Sequence, residues 1–214
     1  MLLLGKDITA QRNEEVLFQG LSFCLLPQQL MTITGCNGIG KSTLLRIIAG
    51  LLEATEGHVT LKDHEQTYPV ATACHYLGFQ NAMKSSLSVI DNLRFWSDFY
   101  GQHMRNPHEA LTDIGLSNLG HLPFSVLSTG QKRRVALARF LLSYRPIWIL
   151  DEPIAGLDSH AQITLANLFQ HHLNQGGMII MTTHIPLAIP EDHRIVLEKF
   201  LPTWRKKDES TVLA

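Results

Sequence analysis

The sequence predicts an α/β fold with a mostly parallel sheet at its core, on three observations. Apolar runs at residues 146–150, 178–181 and 194–197 have the continuity of strands buried on both faces, as in parallel sheets. Segments with apolar residues at helical spacing alternate with them. A glycine-rich turn at residues 35–42 follows a short β-prone run and opens one of those helices.

The elements follow in order. Residues 2–9 and 16–26 carry apolar runs divided by the polar stretch Gln11, Arg12, Asn13, Glu14 and Glu15, which predicts two strands joined by a polar turn, an antiparallel edge. Residues 30–34 form the β-prone run that ends at Gly35. Leu44, Leu45, Ile47, Ile48, Leu51 and Leu52 recur at helical spacing, with Gly50 interrupting near the end. Residues 58–61 and 76–79 read as further strands. Leu87, Ile90, Leu93, Phe95 and Trp96 place a helix over 87–100. Asn106 and Pro107 open another, as N-cap and first helical residue. From Arg205 the tail is polar and expected to fray.

Composition narrows the classes. With 214 residues, 45% of them hydrophobic, the chain can bury one full-sized core, so one domain or a domain with a subdomain is expected. Lys and Arg number 18 against 19 Asp and Glu, and a net charge of -1 argues against a basic nucleic-acid binder. A mean hydropathy of +0.04 is too apolar for disorder. Cys24, Cys36 and Cys74 lack CxxC spacing, so neither a disulfide framework nor a zinc site is indicated and a reducing compartment fits. No run approaches the roughly 18 apolar residues of a membrane span. The opening Met1, Leu2, Leu3 and Leu4 is cut off by Lys6 and Asp7 with no basic region before it. A mature cytosolic chain is expected, with any spans supplied by a partner.

Gly35, Cys36, Asn37, Gly38, Ile39, Gly40, Lys41 and Ser42 match G-x-x-x-x-G-K-[ST] at every fixed position, between a strand and a helix. Glycines let the backbone wrap closely, so that successive N–H groups and the helix N-terminus face phosphate oxygens. Lys41 would reach the β- and γ-phosphates, Ser42 would ligate Mg²⁺, and Thr43 is placed to donate to the α-phosphate. The run at 147–150 ends in Asp151 and Glu152. By itself this suits an ordinary acidic strand end; beside the phosphate loop it suits a magnesium-facing Asp151, acting through water, and a water-orienting Glu152.

Between these sites lie Leu127, Ser128, Thr129, Gly130, Gln131, Lys132, Arg133 and Arg134, followed by a helix from Val135 to Arg139. This resembles the signature motif of ATP-binding-cassette ATPases. Gln80 resembles that family's Q-loop glutamine, Gly156-Leu157-Asp158 its D-loop and His184 its switch histidine, all in family order and spacing. The resemblance covers nearly the whole chain. It implies one P-loop cassette over residues 1–204: a core lobe at about 1–81 and 141–204, an inserted helical lobe at about 82–140, then the tail at 205–214. It further implies ATP with Mg²⁺ held by Ser42, Asp151 and Gln80, and catalysis by Glu152, His184 and Gln80. Ser128, Thr129, Gly130 and Gln131 would contact ATP bound to the other subunit of a homodimer.

Two departures matter. Thr129 replaces a glycine, which requires a negative φ there. The aromatic that usually stacks on adenine is replaced, by spacing, with Arg12, which leaves guanine open as well as adenine. Residues 12–23, 33–38, 88–95, 131–139, 150–153 and 176–187 are most similar to the haem-exporter ATPases of cytochrome c maturation. That similarity implies a peripheral subunit at the cytoplasmic face of the bacterial inner membrane, paired with integral permease subunits and not with nucleic acid. Phe79, Asn81, Phe95, Trp96, Phe99 and Tyr100 would line the docking groove, with at least two partly exposed. Another exporter's cassette, for lipid, drug or lipoprotein, is the alternative. A nucleic-acid ATPase of the same superfamily needs coiled coils or a second cassette, for which 214 residues leave no room. A module without turnover is at odds with Glu152 and His184.

Overall fold

The structure is a computed structural model and describes residues 1–101, 104–186 and 188–202. Leu187, the end of the expected core lobe at 203–204 and the polar tail from Arg205 lie outside the described residues.

Strands β1 (Leu2–Arg12) and β2 (Glu15–Leu25) form an antiparallel hairpin. The polar stretch expected as a turn is mostly strand: pairing runs out to Arg12 opposite Glu15, and only Asn13 and Glu14 turn. Their φ values, 48° and 67°, are both left-handed. Such a two-residue turn follows the strand twist, so the strands need not splay and their polar ends stay paired. Next come β3 (Leu30–Thr34) and α1 (Lys41–Ile48). Helix α1 stops before Gly50, whose φ of 70° lets the Leu51 N–H reach back to the Arg46 carbonyl at 2.9 Å. Leu51 and Leu52 therefore lie beyond the helix, exposed, and not on its buried stripe.

The chain continues through β4 (Glu56–Asp63), β5 (Gln66–Tyr68), the short α2 (Val70–Ala73) and β6 (Cys74–Leu77). Helices α3 (Val89–Tyr100), α4 (Pro107–Asp113) and α5 (Thr129–Ala138) follow. Asn106 caps α4 in a full capping box with Glu109, and Pro107 stands at its start. Then come β7 (Ile147–Asp151), α6 (Ser159–Asn174), β8 (Met178–Thr182) and β9 (His193–Val196). Helix α6 is absent from the sequence-based expectations, although its buried Ala161, Leu165, Phe169 and His172 keep helical spacing.

Two sheets result. The parallel one has the order β6-β7-β8-β3-β9, and the antiparallel strands form a separate sheet, β2-β1-β4-β5. Phe18, Leu3 and Leu21 on the antiparallel sheet share one core with Leu44, Leu45 and Ile48 of α1 and with Ile33. Every residue of β7 and β8 is buried, as continuous apolar runs require. The run at 194–197 differs. Strand β9 pairs on one side only, with β3, so it leaves His193 and Arg194 exposed and buries Ile195. Leu93, Leu111, Leu127 and Val135 gather a third cluster among α3, α4 and α5.

Candidate nucleotide site

The β3 strand delivers the chain to the glycine-rich turn at the C-terminal end of the parallel strands. Gly40 has φ 117° and caps α1, and a Cβ there would sit 3.2 Å from the Phe18 ring, so only glycine fits. No acidic residue occupies the first turn of α1. A cleft of about 580 Å³ lies at this helix start, lined by Asn37, Gly38, Gly40, Lys41, Ser42 and Thr43, where free first-turn N–H groups suit an anion. Arg12, Phe79, Asn81, Asp151 and Glu152 complete its lining, together with Thr129, Arg133 and Ala155. Ile39 turns inward and is buried. Lys41 is nearly buried; its Nζ donates to the carbonyls of Gly35 at 2.6 Å and Cys36 at 3.2 Å and lies 3.1 Å from His184 Nε2.

The acidic end of β7 meets this loop. Ser42 Oγ donates to Asp151 Oδ2 at 2.6 Å, and Thr182 Oγ1 donates to Asp151 Oδ1 at 2.7 Å. Glu152 has a φ of 49°. Its N–H donates to Thr182 Oγ1 at 2.9 Å, and its Oε1 lies 3.3 Å from His184 Nε2. Lys41, Ser42, Asp151, Glu152 and His184 thus converge. Gln80 lies exposed beyond the end of β6, between the lining residues Phe79 and Asn81, and no hydrogen bond joins it to the five.

The signature residues sit differently. Ser128 caps α5: its Oγ accepts from the Gln131 N–H at 3.2 Å, while Gln131 Oε1 accepts from the Ser128 N–H at 2.9 Å. Thr129 is the first residue of the helix and is absent from the positive-φ positions, which is why a side chain is tolerated there. A Cβ on Gly130 would stand 3.1 Å from the Gly156 carbonyl, so this close approach needs glycine. Asp158 caps α6, accepting from the Ala161 N–H at 2.8 Å. Ser128, Gly130, Gln131 and Asp158 line one shallow depression; Thr129 reaches both it and the phosphate cleft.

Two side chains at the site carry no signal in the sequence. Arg133 donates to the carbonyls of Asp151 and, at 2.7 Å, Gly78. The Lys-Arg-Arg run offers no reason to choose it over Lys132 or Arg134, which bond outer loops at Ser125 and Ile114. Glu198 Oε1 accepts from the Cys36 N–H at 2.8 Å. Burial pushes the Glu198 pKa up, but its bonds to its own and the Cys36 amides and the nearby Lys41 charge leave it below the usual carboxylate range.

A phosphate loop, an acidic strand end and a capped signature turn on this fold define an ATP-hydrolysing cassette. The chain belongs to the ABC transporter family, whose sequence model matches residues 18–155. It is 76% identical over 208 residues to the cytochrome c biogenesis ATP-binding export protein CcmA of Bartonella quintana, covering 97% of this chain and 100% of that one. It is 51% identical to the CcmA protein of Mesorhizobium japonicum, covering 88% and 94%. An ATP-binding protein of an ABC transporter from Pyrococcus furiosus shares the fold at a TM-score of 0.81 and 23% identity, over 94% of this chain and all of that one. Cassettes of this family dimerise and pair with membrane permease subunits. Among the described residues no helix is long and apolar enough to cross a membrane.

Proposed function

We propose that this chain is the ATPase subunit of an export complex for cytochrome c biogenesis, coupling hydrolysis to the delivery or release of haem for attachment to c-type cytochromes. The observation that carries hydrolysis is the convergence of Lys41, Ser42, Asp151 and Glu152 on one cleft, with His184 within 3.3 Å of both Lys41 and Glu152. The named system rests on 76% identity along nearly the full chain.

The backbone from Gly35 to Thr43 cradles the phosphates, and Lys41 reaches the β- and γ-oxygens. Ser42 and Asp151 would hold Mg²⁺, with Gln80 approaching from the rim. Hydroxyl and carboxylate oxygens suit that hard ion. The ion neutralises charge on the phosphates when bound. Glu152 orients water and accepts its proton, and His184 contacts the γ-phosphate. Arg12 stands in the cleft lining at the position where the family usually has a stacking aromatic, so selection between adenine and guanine is weak.

Ser128, Thr129, Gly130 and Gln131 act on ATP held by a second copy in a two-fold homodimer, with Asp158 at that seam. Support comes from the depression that Ser128, Gly130 and Gln131 line apart from their own phosphate cleft, with Thr129 at the border of the two. The Ser128 hydroxyl accepts from its own helix yet keeps its proton to donate. Two lobes divide at about residues 82 and 140. The membrane subunit docks where Phe79, Phe95 and Phe99 are 91%, 54% and 69% exposed, beside the half-buried Asn81, Trp96 and Tyr100. On this reading the chain works at the cytoplasmic face of the inner membrane. The test is replacement of the chromosomal copy by Glu152→Gln. Haem-stained c-type cytochromes should disappear at unchanged levels of the ATPase; their persistence overturns the reading.

A further inference from the structure

The left-handed φ of Glu152, 49°, is disfavoured for any residue with a side chain. Such a conformation persists only where its surroundings over-determine it. Here the peptide unit between Asp151 and Glu152 is held at both ends. Its N–H donates to Thr182 Oγ1 at 2.9 Å, and its carbonyl accepts from Arg133 Nη2. The other terminal nitrogen, Nη1, donates to the Gly78 carbonyl at 2.7 Å and to Asn81 Oδ1 at 3.2 Å. Arg133 is 7% exposed, and among the described residues no carboxylate pairs with it directly. Burial pulls its pKa down to about 10 against the opposing field of Asp151, so it stays a cation at neutral pH.

We propose that Arg133 is a positioning residue for hydrolysis: by fixing the plane of the Asp151–Glu152 peptide, it sets the left-handed turn that aims the Glu152 carboxylate into the phosphate cleft. The inference rests on the reading of Glu152 as the water-orienting group. Without the bond to the Asp151 carbonyl, the peptide is free to rotate toward an ordinary negative φ, which swings the carboxylate away from His184. The same guanidinium grips the segment after β6, and its helix starts at the Ser128 cap. The signature turn, the Gly78–Asn81 segment and the Glu152 peptide are therefore tied through one side chain. A planar fork can serve these acceptors together, whereas a lysine ammonium is a single point of contact.

The test uses the full chain carrying Arg133→Lys, which keeps the charge, and Arg133→Gln, which keeps a donor. Hydrogen exchange at the Glu152 amide should rise about tenfold or more, while the amides of β7 from Ile147 to Leu150 keep their protection. Equal loosening along β7 and β8, or no change at Glu152, overturns the proposal. If Arg133→Gln does not fold, Arg133→Lys carries the measurement. In ATP hydrolysis, kcat should fall about tenfold or more with KM within about twofold. Added to Glu152→Gln, the Arg133→Lys change should remove nothing further from the residual rate; an additive loss shows a role apart from Glu152 and overturns it. A wild-type rate for Glu152→Gln alone would sink the assignment of Glu152, whereas the exchange result judges the clamp on the peptide by itself.

Discussion

Lys41 Nζ lies 3.1 Å from His184 Nε2, although 143 residues separate the two in the chain. The same imidazole nitrogen stands 3.3 Å from Glu152 Oε1. To accept from the Lys41 ammonium, Nε2 must be unprotonated, which selects the tautomer with its hydrogen on Nδ1. An imidazole bonded in this way has no hydrogen on Nε2 to give Glu152 Oε1, a buried oxygen with no hydrogen-bond partner among the described residues.

Removing the ammonium takes away the cation that the phosphate loop holds against its own Gly35 and Cys36 carbonyls. Lys41→Ala should weaken ATP binding by roughly 10- to 100-fold, as loss of a charge-assisted phosphate contact does. Titration with a fluorescent ATP analogue measures this, and an unchanged Kd would remove Lys41 from the binding site.

Glu152→Gln keeps the size of the side chain but cannot accept a proton. Turnover should drop by about 10²- to 10⁴-fold while ATP affinity changes little. Steady-state hydrolysis read alongside nucleotide binding separates the two effects. Turnover at the wild-type rate would show that Glu152 is not the base.

Dimerisation should follow ATP. Ser128 and Gly130 line a depression separate from their own phosphate cleft, and on the proposed reading they close over ATP held by a second copy. The Glu152→Gln variant should sediment as a monomer without nucleotide and as a dimer with Mg-ATP, and as a monomer again once ATP is removed. A variant that binds ATP yet stays monomeric in the presence of its membrane subunits would contradict the shared site.

Two buried imidazoles predict acid sensitivity. His75 stacks on Phe140 and its Nε2 is bonded to the Ser143 carbonyl; His172 stacks on Trp148. Burial pulls their pKa values down to about 3 and about 4, despite backbone hydrogen bonds that raise them. Between the unfolded value near 6.5 and those folded values, the unfolded chain binds more protons. Their neutral packing is therefore fully favourable above about pH 6.5, and stability is lost as pH falls toward 4. Urea midpoints from pH 7.5 to 4.5 should decline, and His172→Phe should flatten the decline by keeping the stack without the proton. An equal slope in the variant would show that other groups govern it.

The phosphate loop, the acidic strand end and the signature turn could be read along the chain because each is a contiguous pattern. Glycines must stand where the backbone wraps an anion, and Ser128 and Gln131 must stand three apart to cap one helix. The buried strands β7 and β8 were legible for a related reason: burial on both faces forbids any polar interruption. Strand β9 shares their apolar look but has one neighbour, and nothing local records how many neighbours a strand acquires.

Contacts that span the chain are of another kind. The Lys-Arg-Arg run contains three cations of like chemistry, and only the rotation of α5 against β7 turns Arg133 alone toward the Asp151 carbonyl. The left-handed turn at Glu152 has no glycine to announce it, since Thr182 and Arg133 impose it from 30 residues downstream and 19 residues upstream. Pairing of β1 with β4 joins segments far apart in the chain into a separate antiparallel sheet, which shares its core with α1. Local chemistry specifies which groups can bind phosphate, because that requirement is met within a few residues. Which side chains hold those groups in place is settled by packing between distant segments, where burial and unpaired carbonyls select one partner from several that are chemically equivalent.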